Sequence, residues 1–380
     1  MSYLSTLTLH NFRCYESMRM DGLSSGLIVL TGPNGAGKTN ILEAVSLLTP
    51  GRGLRGAKAM ELQRMQSRLP WAVSASVDTG GVEVQLGTGL DPASDKRTVR
   101  INGAAAKTQM ALSDYLSCLW LTPQMDRLFL EGAGGRRRFL DKLVFTFDPG
   151  HAGRVTRYEN AMSQRSRILK EGTGDKAWLQ SLESQMAETG VAIAAARAEF
   201  VTRLQRACNA SDAEEEKFFP RAQCTSSGTV EELLRQTPAL EVEQMLAYQL
   251  KQSRDQDAQT GGAATGPHKS DLLVRYAAKD MQADQCSTGE QKALLIGIIL
   301  AHARLMAAER GAVPVLLLDE IAAHLDEHRR AALFERLLHI GGQIFMTGTD
   351  ISLFSAAFGI GQFFGVESAQ IFKEKQGLAA

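Results

Sequence analysis

The stretch LIVLTGPNGAGKTNILEAV, from Leu27 to Val45, sets a glycine-rich loop between a short apolar strand and an amphipathic helix. Its segment GPNGAGKT matches the pattern G-x-x-x-x-G-K-[S/T] at every fixed position. Such glycines let successive backbone N–H groups point inward around phosphate oxygens, Lys38 adds a positive charge, and Thr39 offers its hydroxyl to Mg²⁺. We therefore predict a nucleoside triphosphate site formed by Gly32, Pro33, Asn34, Gly35, Ala36, Gly37, Lys38, Thr39 and Asn40.

Two adjacent acidic residues end a second apolar strand, VPVLLLDE, much later in the chain. Asp319 is placed to face the metal or its water shell, and Glu320 is placed to polarise an attacking water. Many strands end in acids, so this pair alone is a weak signal. Together with the phosphate loop it predicts Mg²⁺-assisted hydrolysis of a triphosphate, with Lys38 and Glu320 as catalytic residues.

The segment STGEQK, Ser287 to Lys292, precedes a helix that we expect to start near Ala293. Ser287 can cap this helix, and the exposed N–H groups of its first turn can hold an anion. A plain helix cap is an equally good reading of this segment by itself.

The chain between these motifs changes character along its length. YLSTLTL alternates as a half-buried strand does, and WAVSASV, VEVQL and RTVRING predict an antiparallel meander. From Gly134 to about Ala258 apolar residues recur at helical spacing, and Lys176 to Cys208 predicts a helix about 45 Å long, paired with its predecessor across the turn EGTGD. Lys251 to Ser270 has no periodicity and predicts a loop. Strand, helix and strand then alternate from VPVLLLDE to QIFMT, as in a parallel layer.

These patterns predict an α/β fold in which a helical arm interrupts one nucleotide-binding domain with a mixed sheet. The expected boundaries are 1–133 for the first half of that domain, 134–258 for the arm, and 259–380 for the second half.

The amino-acid composition argues against several classes of function. Lys plus Arg and Asp plus Glu both number 42, so any nucleic-acid surface must be local, in clusters such as RGLRGAK or GGRRRFLDK. Five scattered cysteines without C-x-x-C spacing indicate neither a disulfide frame nor a zinc site. The longest apolar run, Ala293 to Ala301, is about half of a membrane span, and the N-terminus has no signal-type block. We predict a cytoplasmic protein without a membrane partner.

The order of the motifs resembles ATP-binding-cassette ATPases: phosphate loop, S-x-G-x-Q, Asp-Glu, then HLDE. LTLHNFRCYESMRM, FLEGAGGRRRFLDKLVF, GPHKSDL and STGEQKALLIG narrow the resemblance to the RecF family of recombination mediators, which is related to the structural-maintenance-of-chromosomes (SMC) heads and Rad50. The resemblance extends from about Leu4 to Asp350. It implies a cassette-type ATPase head that carries the helical arm.

The resemblance also implies roles for further residues. Arg13, and Arg52 or Arg55, should lie near the nucleotide; Gln124 should sense the γ-phosphate and Mg²⁺; Asp326 matches the D-loop aspartate. Thr347, Gly348 and Thr349 stand where a switch histidine is usual, which favours a slow ATPase used as a switch, and the resemblance implies that DNA stimulates this weak activity. His268 and Asp271 receive a positioning role. The signature residues, which should reach the nucleotide of a second chain, are Ser287, Thr288, Gly289, Glu290 and Gln291.

For the whole protein, the resemblance implies an ATP-driven homodimer that clamps double-stranded DNA at gapped single-strand/double-strand junctions. A RecR-type partner would then help to load recombinase during replication, recombination, DNA damage repair and the SOS response.

Three alternatives stay open at this point. A transporter ATPase subunit normally has far less chain between its phosphate loop and its signature. An SMC-like tether needs a longer arm, and a kinase leaves STGEQK unexplained. ATP-dependent dimerisation without phosphorylation of a substrate would separate them.

Overall fold

The computed structural model describes residues 2–172 and 175–374, apart from the side chain of His324. The chain divides into two compact units. The head unit comprises Met1–Asp126, Ala213–Phe219 and Ile299–Ala380, and the helical unit comprises Arg127–Asp212 and Pro220–Ile298. The domain boundaries drawn from the sequence remain a prediction.

The strands within the described residues are β1 (Ser2–Phe12), β2 (Tyr15–Met20), β3 (Gly26–Thr31), β4 (Ala72–Thr79), β5 (Glu83–Asp91), β6 (Lys96–Ile101), β7 (Ala104–Ala105), β8 (Cys118–Leu121), β9 (Ala222–Ser227), β10 (Asp271–Tyr276), β11 (Met281–Gln282), β12 (Val315–Leu318), β13 (Gln343–Gly348), β14 (Gln362–Glu367) and β15 (Gln370–Lys373). The α-helices in the same ranges are α1 (Lys38–Ser46), α2 (Ala133–Phe145), α3 (Gly150–Glu171), α4 (Lys176–Asn209), α5 (Ala213–Phe218), α6 (Thr229–Leu234), α7 (Ala239–Gln252), α8 (Arg254–Thr260), α9 (Thr288–Arg310) and α10 (Glu327–Ile340).

The head unit contains two six-stranded sheets. One has the order β15-β14-β3-β13-β12-β8 and is parallel except at β15. The other has the order β2-β1-β4-β5-β6-β7 and is antiparallel throughout. Both predicted layers are therefore confirmed, and one apolar cluster packs α1 with strands of both sheets.

The parallel sheet explains how residues far apart in sequence meet. The register pairs Leu30 of β3 with Thr347 of β13, and Met346 of β13 with Leu318 of β12. Because parallel strands bring their carboxyl ends to one edge, the phosphate loop, Asp319 and Thr347 follow or end adjacent strands there.

The helical unit is built around the long helix α4, which packs against α3 and α7. The predicted helix from Lys176 is confirmed, whereas the tip of the predicted EGTGD turn, residues 173–174, lies outside the described residues. Arg165 of α3 is fully buried and donates to Glu183 of α4, Asp257 of α8 and the carbonyl of Leu250. These hydrogen bonds offset the cost of removing the charges from water, and they join α3, α4, α7 and α8.

Two predictions for this unit were wrong. Part of the predicted loop from Lys251 to Ser270 is helix α8, which lacks an apolar stripe because its buried contact is the Asp257 carboxylate. The segment read as purely helical contains β9, whose inward residues Ala222, Cys224 and Ser226 are small and so give a weak alternation.

Helix α5 belongs to the head unit, although the chain on both sides of it belongs to the helical unit. It packs against α10, and Glu215 accepts two hydrogen bonds from Nη1 of Arg304, at 2.9 and 2.8 Å. The chain therefore leaves the helical unit after Asp212 and returns to it at Pro220.

Helix α9 is the one helix among the described residues that is long and apolar enough, by length and composition, to cross a membrane. Of its most apolar window, 72% is buried inside the protein.

Candidate nucleotide-binding site

The phosphate loop depends on glycine at two positions where the chain is closely approached. Gly32 has φ +143°, and a Cβ there would lie 2.0 Å from the carbonyl oxygen of Val366. Gly37 has φ +117°, and its Cβ would lie 2.5 Å from the hydroxyl of Tyr15. Only glycine fits both the conformation and the space at these two positions, so the course of the loop around a phosphate depends on them.

Lys38 folds back across this loop. Its Nζ donates to the carbonyl oxygens of Gly32 at 2.7 Å and Pro33 at 2.9 Å, and the residue is only 4% exposed. Burial lowers the pKa of Lys38, while the nearby carboxylates of Glu320 and Asp319 raise it. The ammonium group is thus held at the loop, and its negative neighbours Asp319 and Glu320 lie at the end of β12, the next strand but one from β3.

A chain of hydrogen bonds connects α1, β12 and β13. The Thr39 hydroxyl donates to the two carboxylate oxygens of Asp319, at 3.0 and 3.1 Å. The Thr347 hydroxyl donates to Oδ1 of Asp319 at 2.7 Å and accepts from the backbone N–H of Glu320 at 2.9 Å. Asp319 is 6% exposed, so the two hydroxyls satisfy a carboxylate that has little contact with water.

The oxygen donors of Thr39 and Asp319 are the kind that Mg²⁺ prefers, and Mg²⁺ usually takes only one or two protein ligands beside phosphate and water. No group of three or more His, Cys, Asp and Glu residues able to hold a metal occurs within residues 2–172 and 175–374. The oxygen donors of Thr39 and Asp319 therefore fit a metal that arrives with a nucleotide.

Glu320 has a left-handed backbone, with φ +53°, which is uncommon for a residue with a side chain. The hydrogen bond from its N–H to Thr347 holds this turn. Its side chain is half-buried and close enough to Lys38 to raise the pKa of that residue. The sequence drew attention to Thr347 only as the residue in place of a histidine; its bridging role required the strand register.

Replacing Thr347 by valine is expected to lower the ATP hydrolysis rate about tenfold, because Asp319 loses a charge-assisted hydrogen bond and the Glu320 turn loses its acceptor. Steady-state phosphate release measures the effect. Thr347→Ser restores the hydroxyl and should restore the rate, whereas equal rates in the valine variant and the unmodified protein would show that the bridge has no catalytic role.

Two of the three predicted arginines lie beside α1. Arg13 donates to both carboxylate oxygens of Glu43, at 2.8 and 2.6 Å, and Arg55 donates to Glu43 at 3.0 Å and to Asn40 at 2.8 Å. Arg52 is exposed and makes no hydrogen bond or ion pair in the described part of the chain. Glu43, which the sequence analysis did not single out, is what joins the other two.

Gln124 lies at the same sheet edge, in a 3₁₀ turn after β8, where Leu121 accepts a hydrogen bond from the N–H of Asp319. Its side chain is exposed. Asp326 caps α10 by accepting from the N–H of Arg329 at 2.9 Å. Their predicted roles toward the γ-phosphate and the D-loop remain predictions.

The signature segment lies at the start of α9, which begins at Thr288 and not near Ala293. The expectation of a later start was wrong because Ser287 and Glu290 form a reciprocal cap that draws the polar residues into the first turn. The N–H and hydroxyl of Ser287 both donate to Oε2 of Glu290 at 2.9 Å, and Lys279 pairs with the same carboxylate. These bonds lower the pKa of Glu290 to about 2.

The GPHKSDL segment forms polar contacts within the helical unit. Nε2 of His268 lies 2.9 Å from the carbonyl oxygen of Ala263 and Nδ1 lies 2.7 Å from the Tyr158 hydroxyl, which suits a neutral ring with its proton on Nε2. Burial lowers the pKa of His268, in agreement with this state. Asp271 accepts two hydrogen bonds from Arg136, at 2.8 and 2.7 Å. The positioning role predicted for His268 and Asp271 remains a prediction.

A glycine-rich anion loop, an Asp–Glu pair on the next-but-one strand and a capped S-x-G-x-Q turn define a phosphate-loop nucleotide-binding protein with a mixed α/β head. The chain belongs to the RecF/RecN/SMC N-terminal domain family, whose model matches residues 3–372, and within it to the RecF DNA replication and repair proteins. It is an ATP-binding protein of DNA replication, recombination and repair. The resemblance read from the motifs is thus confirmed.

The chain is 48% identical to the DNA replication and repair protein RecF of Mesorhizobium japonicum over 372 residues, 97% of each chain. It is 48% identical over 373 residues to that of Rhizobium rhizogenes, with 98% of each chain covered. A solved structure described as the recombination mediator protein RecF-ATPrS in the RecFOR pathway has a TM-score of 0.85, at 22% identity and 98% coverage of both chains. An SMC head bound to the C-winged helix domain of ScpA has a TM-score of 0.55 at 15% identity, covering 99% of this chain and 98% of that one. These structures confirm the fold.

Proposed function

We propose that this protein is an ATP-driven DNA clamp, a slow ATPase in which nucleotide binding closes a homodimer on double-stranded DNA. The hydrogen-bond chain from Thr39 through Asp319 and Thr347 to Glu320 is the observation that carries the proposal. It connects a phosphate-binding loop to a candidate general base through three consecutive hydrogen-bonded contacts. Such an arrangement suits hydrolysis that depends on a bound metal nucleotide.

Within one head, the backbone N–H groups of the loop and Lys38 would bind the β- and γ-phosphates. Thr39 and Asp319, with Gln124, would hold Mg²⁺, which neutralises charge on the phosphate oxygens when bound. Glu320 would accept a proton from the attacking water. A phosphate oxygen would compete with the carbonyl oxygens of Gly32 and Pro33 for the ammonium group of Lys38. When the nucleotide binds, Lys38 would therefore exchange neutral carbonyl acceptors for charged phosphate oxygens.

The second head would complete the site through its signature segment, with Ser287 and Gly289 facing the γ-phosphate of the first chain. The cap supports this assignment, since a hydroxyl and the first N–H groups of α9 lie together at an exposed helix start. The Ser287 hydroxyl would have to leave Glu290 to donate to phosphate. ATP would then favour the closed dimer, and hydrolysis would release it.

We propose gapped single-strand/double-strand junctions as the DNA target, a RecR-type mediator as the protein partner, loading of recombinase as the outcome and the cytoplasm as the location. The curated relatives are DNA replication and repair proteins, and a solved relative is described as a recombination mediator of the RecFOR pathway, which supports a role in recombinational repair. Balanced charge makes the DNA surface local. Arg136 and Arg137 are engaged with Asp271 and the carbonyl of Ser270, so Arg138, exposed and without an ion pair in the described residues, is the cluster member we assign to DNA.

Molecular mass in solution tests the clamp. We expect a monomer without nucleotide, a dimer with Mg·ATP, and retention of a gapped duplex only by the dimer. Affinity for the duplex should fall steeply with salt and depend little on its sequence. A monomer in every condition would contradict the proposal and direct the search toward a different partner.

Replacing Ser287 by arginine is expected to leave ATP binding to one chain intact and to raise the dimer dissociation constant at least tenfold. The larger side chain fills the space in which the helix start would meet phosphate, and it removes the hydroxyl donor. Analytical ultracentrifugation with Mg·ATP measures the effect. Ser184→Arg, at an exposed position of α4 in the same unit, is the matched control and should dimerise normally; equal dimerisation of both variants would contradict a trans signature contact.

A further inference from the structure

The helix that follows the phosphate loop carries a buried acid that the proposed chemistry does not use. Glu43 of α1 is 0% exposed, and it is held by three N–H groups that belong to two arginines from different segments of the head unit. A carboxylate removed from water in this way is tolerated only when its partners are present and well aligned. Glu43 therefore fixes the positions of both arginine side chains.

The two arginines are held differently. Arg13 uses all three of its nitrogens: Nε and Nη2 on Glu43, and Nη1 on the carbonyl of Glu61 at 2.8 Å. It sits in the two-residue turn between β1 and β2 with φ +54°, and its own N–H donates to the carbonyl of Leu62. Arg13 thus joins three segments of the backbone, and each of its three nitrogens already donates to an acceptor within the fold.

Arg55 has donors to spare. Only its Nη1 is engaged, with Asn40 and Glu43, and its Nε and Nη2 meet no acceptor within the ranges that the structure describes. Its side chain is 36% exposed, compared with 21% for Arg13. A planar guanidinium with two free nitrogens and an exposed edge suits phosphate oxygens.

The position of Arg55 is set along one face of α1. Gly37 is the N-cap residue of α1, and Asn40 and Glu43, three residues apart, are neighbours on one face of that helix. Asn40 also donates to the thiol of Cys14 at 3.1 Å. Arg55, bonded to both Asn40 and Glu43, is thereby tied within one helical turn of the loop.

We infer that Glu43 is a positioning residue for nucleotide binding, which holds Arg55 ready for a nucleotide phosphate while it locks Arg13 into the fold. The inference rests on the proposed use of the phosphate loop for ATP and adds a residue to that site. One negative charge between two positive ones leaves a net positive charge beside the loop. Glu43 therefore directs the guanidinium of Arg55 without cancelling the attraction of the site for an anion.

A double-mutant cycle separates positioning from a purely structural role. In the full-length protein, Glu43→Gln should raise the dissociation constant of Mg·ATP about tenfold, because an amide offers N–H groups to arginines that already donate. Arg55→Gln should raise it by a similar factor. The double variant should bind no more weakly than Arg55→Gln alone, since Glu43 acts through Arg55. Isothermal titration calorimetry gives the constants.

The helical unit offers a matched control. Glu183 is also buried and also accepts three hydrogen bonds from two arginines, two from Arg254 and one from Arg165. Glu183→Gln and Glu43→Gln should both lower the melting temperature, because each removes the buried charge that two arginines are paired with, but Glu183→Gln should leave ATP affinity unchanged. A loss of affinity in both would show that ATP binding follows general stability, and would overturn the inference.

Further outcomes are equally decisive. The inference fails, while the proposed function stands, if Glu43→Gln weakens ATP binding by the same factor in the unmodified protein and in the Arg55→Gln variant. It also fails if Glu43→Gln does not weaken ATP binding at all. If the unmodified protein binds no ATP, the proposed function fails and the inference with it. If Glu43→Gln does not fold, single variants carry the test: Arg55→Gln should lose affinity with little change in melting temperature, Arg13→Gln should lose mainly stability, and the reverse order overturns the assignment.

Discussion

Replacing Glu320 by glutamine should lower the rate of ATP hydrolysis by about 10²- to 10⁴-fold, the range that a positioned general base contributes. The amide keeps the shape of the side chain, and the backbone N–H of residue 320 can still donate to Thr347, so the turn with φ +53° should persist. ATP should therefore still bind. We expect the Mg·ATP dimer to accumulate and to retain a gapped duplex far longer than the unmodified protein does.

Two measurements check this result: phosphate release under single-turnover conditions, and molecular mass by light scattering after ATP is added. Glu335→Gln is the matched control, because Glu335 is an exposed glutamate of α10 in the same unit. It should hydrolyse ATP at the normal rate. If Glu320→Gln did so too, the general base would have to be another group, and the dimer would not be trapped.

Replacing Lys38 by alanine should weaken ATP binding by about 10²- to 10⁴-fold. Lys38 lies 4% exposed against the loop carbonyls, and two charge-assisted hydrogen bonds to phosphate oxygens are each worth about 1.5–3 kcal/mol. Hydrolysis, dimerisation and retention of DNA should be lost together, because all three depend on the bound nucleotide.

Calorimetric titration with Mg·ATP measures this loss. Lys96→Ala removes the same charge from an exposed position of β6 in the same unit and should bind ATP normally. Near-normal affinity in the Lys38 variant would mean that the backbone N–H groups supply almost all of the binding energy. DNA retention that survived without ATP binding would contradict the switch.

The parts of the fold that could be predicted are those in which the local sequence pattern also determines where the segment lies in the sheet. The loop after Thr31 and the acids after Leu318 could be predicted because a strand must deliver each of them to the same sheet edge. The start of α9 could not, because a side-chain cap between Ser287 and Glu290 decides it and apolar periodicity does not. Strand β9 was missed because small residues pack inward there without a strong hydrophobic signal.

The least predictable part of the site is its supporting shell. In the sequence, Glu43 is one acid in an ordinary amphipathic helix, and no spacing rule pairs it with Arg13 and Arg55, which lie in two other segments. In the sequence, Thr347 stands out only because it occupies the place of the usual switch histidine, and nothing indicates its hydrogen bonds with Asp319 and Glu320. Both roles depend on which strands and loops become neighbours, and this information appears only when the register of the sheets is known.

Helix α5 belongs to the head unit although the chain on both sides of it belongs to the helical unit, and this limits how the two units can be separated in an engineered protein. The chain passes between the two units at four places, after Asp126, Asp212, Phe219 and Ile298. A single deletion of residues 127–298 would also remove Glu215, which accepts two hydrogen bonds from Nη1 of Arg304 in the head unit. A protein engineer who wants an isolated ATPase would have to replace that missing turn of helix, and grafting the helical unit onto a related head would require matching two insertion points instead of one.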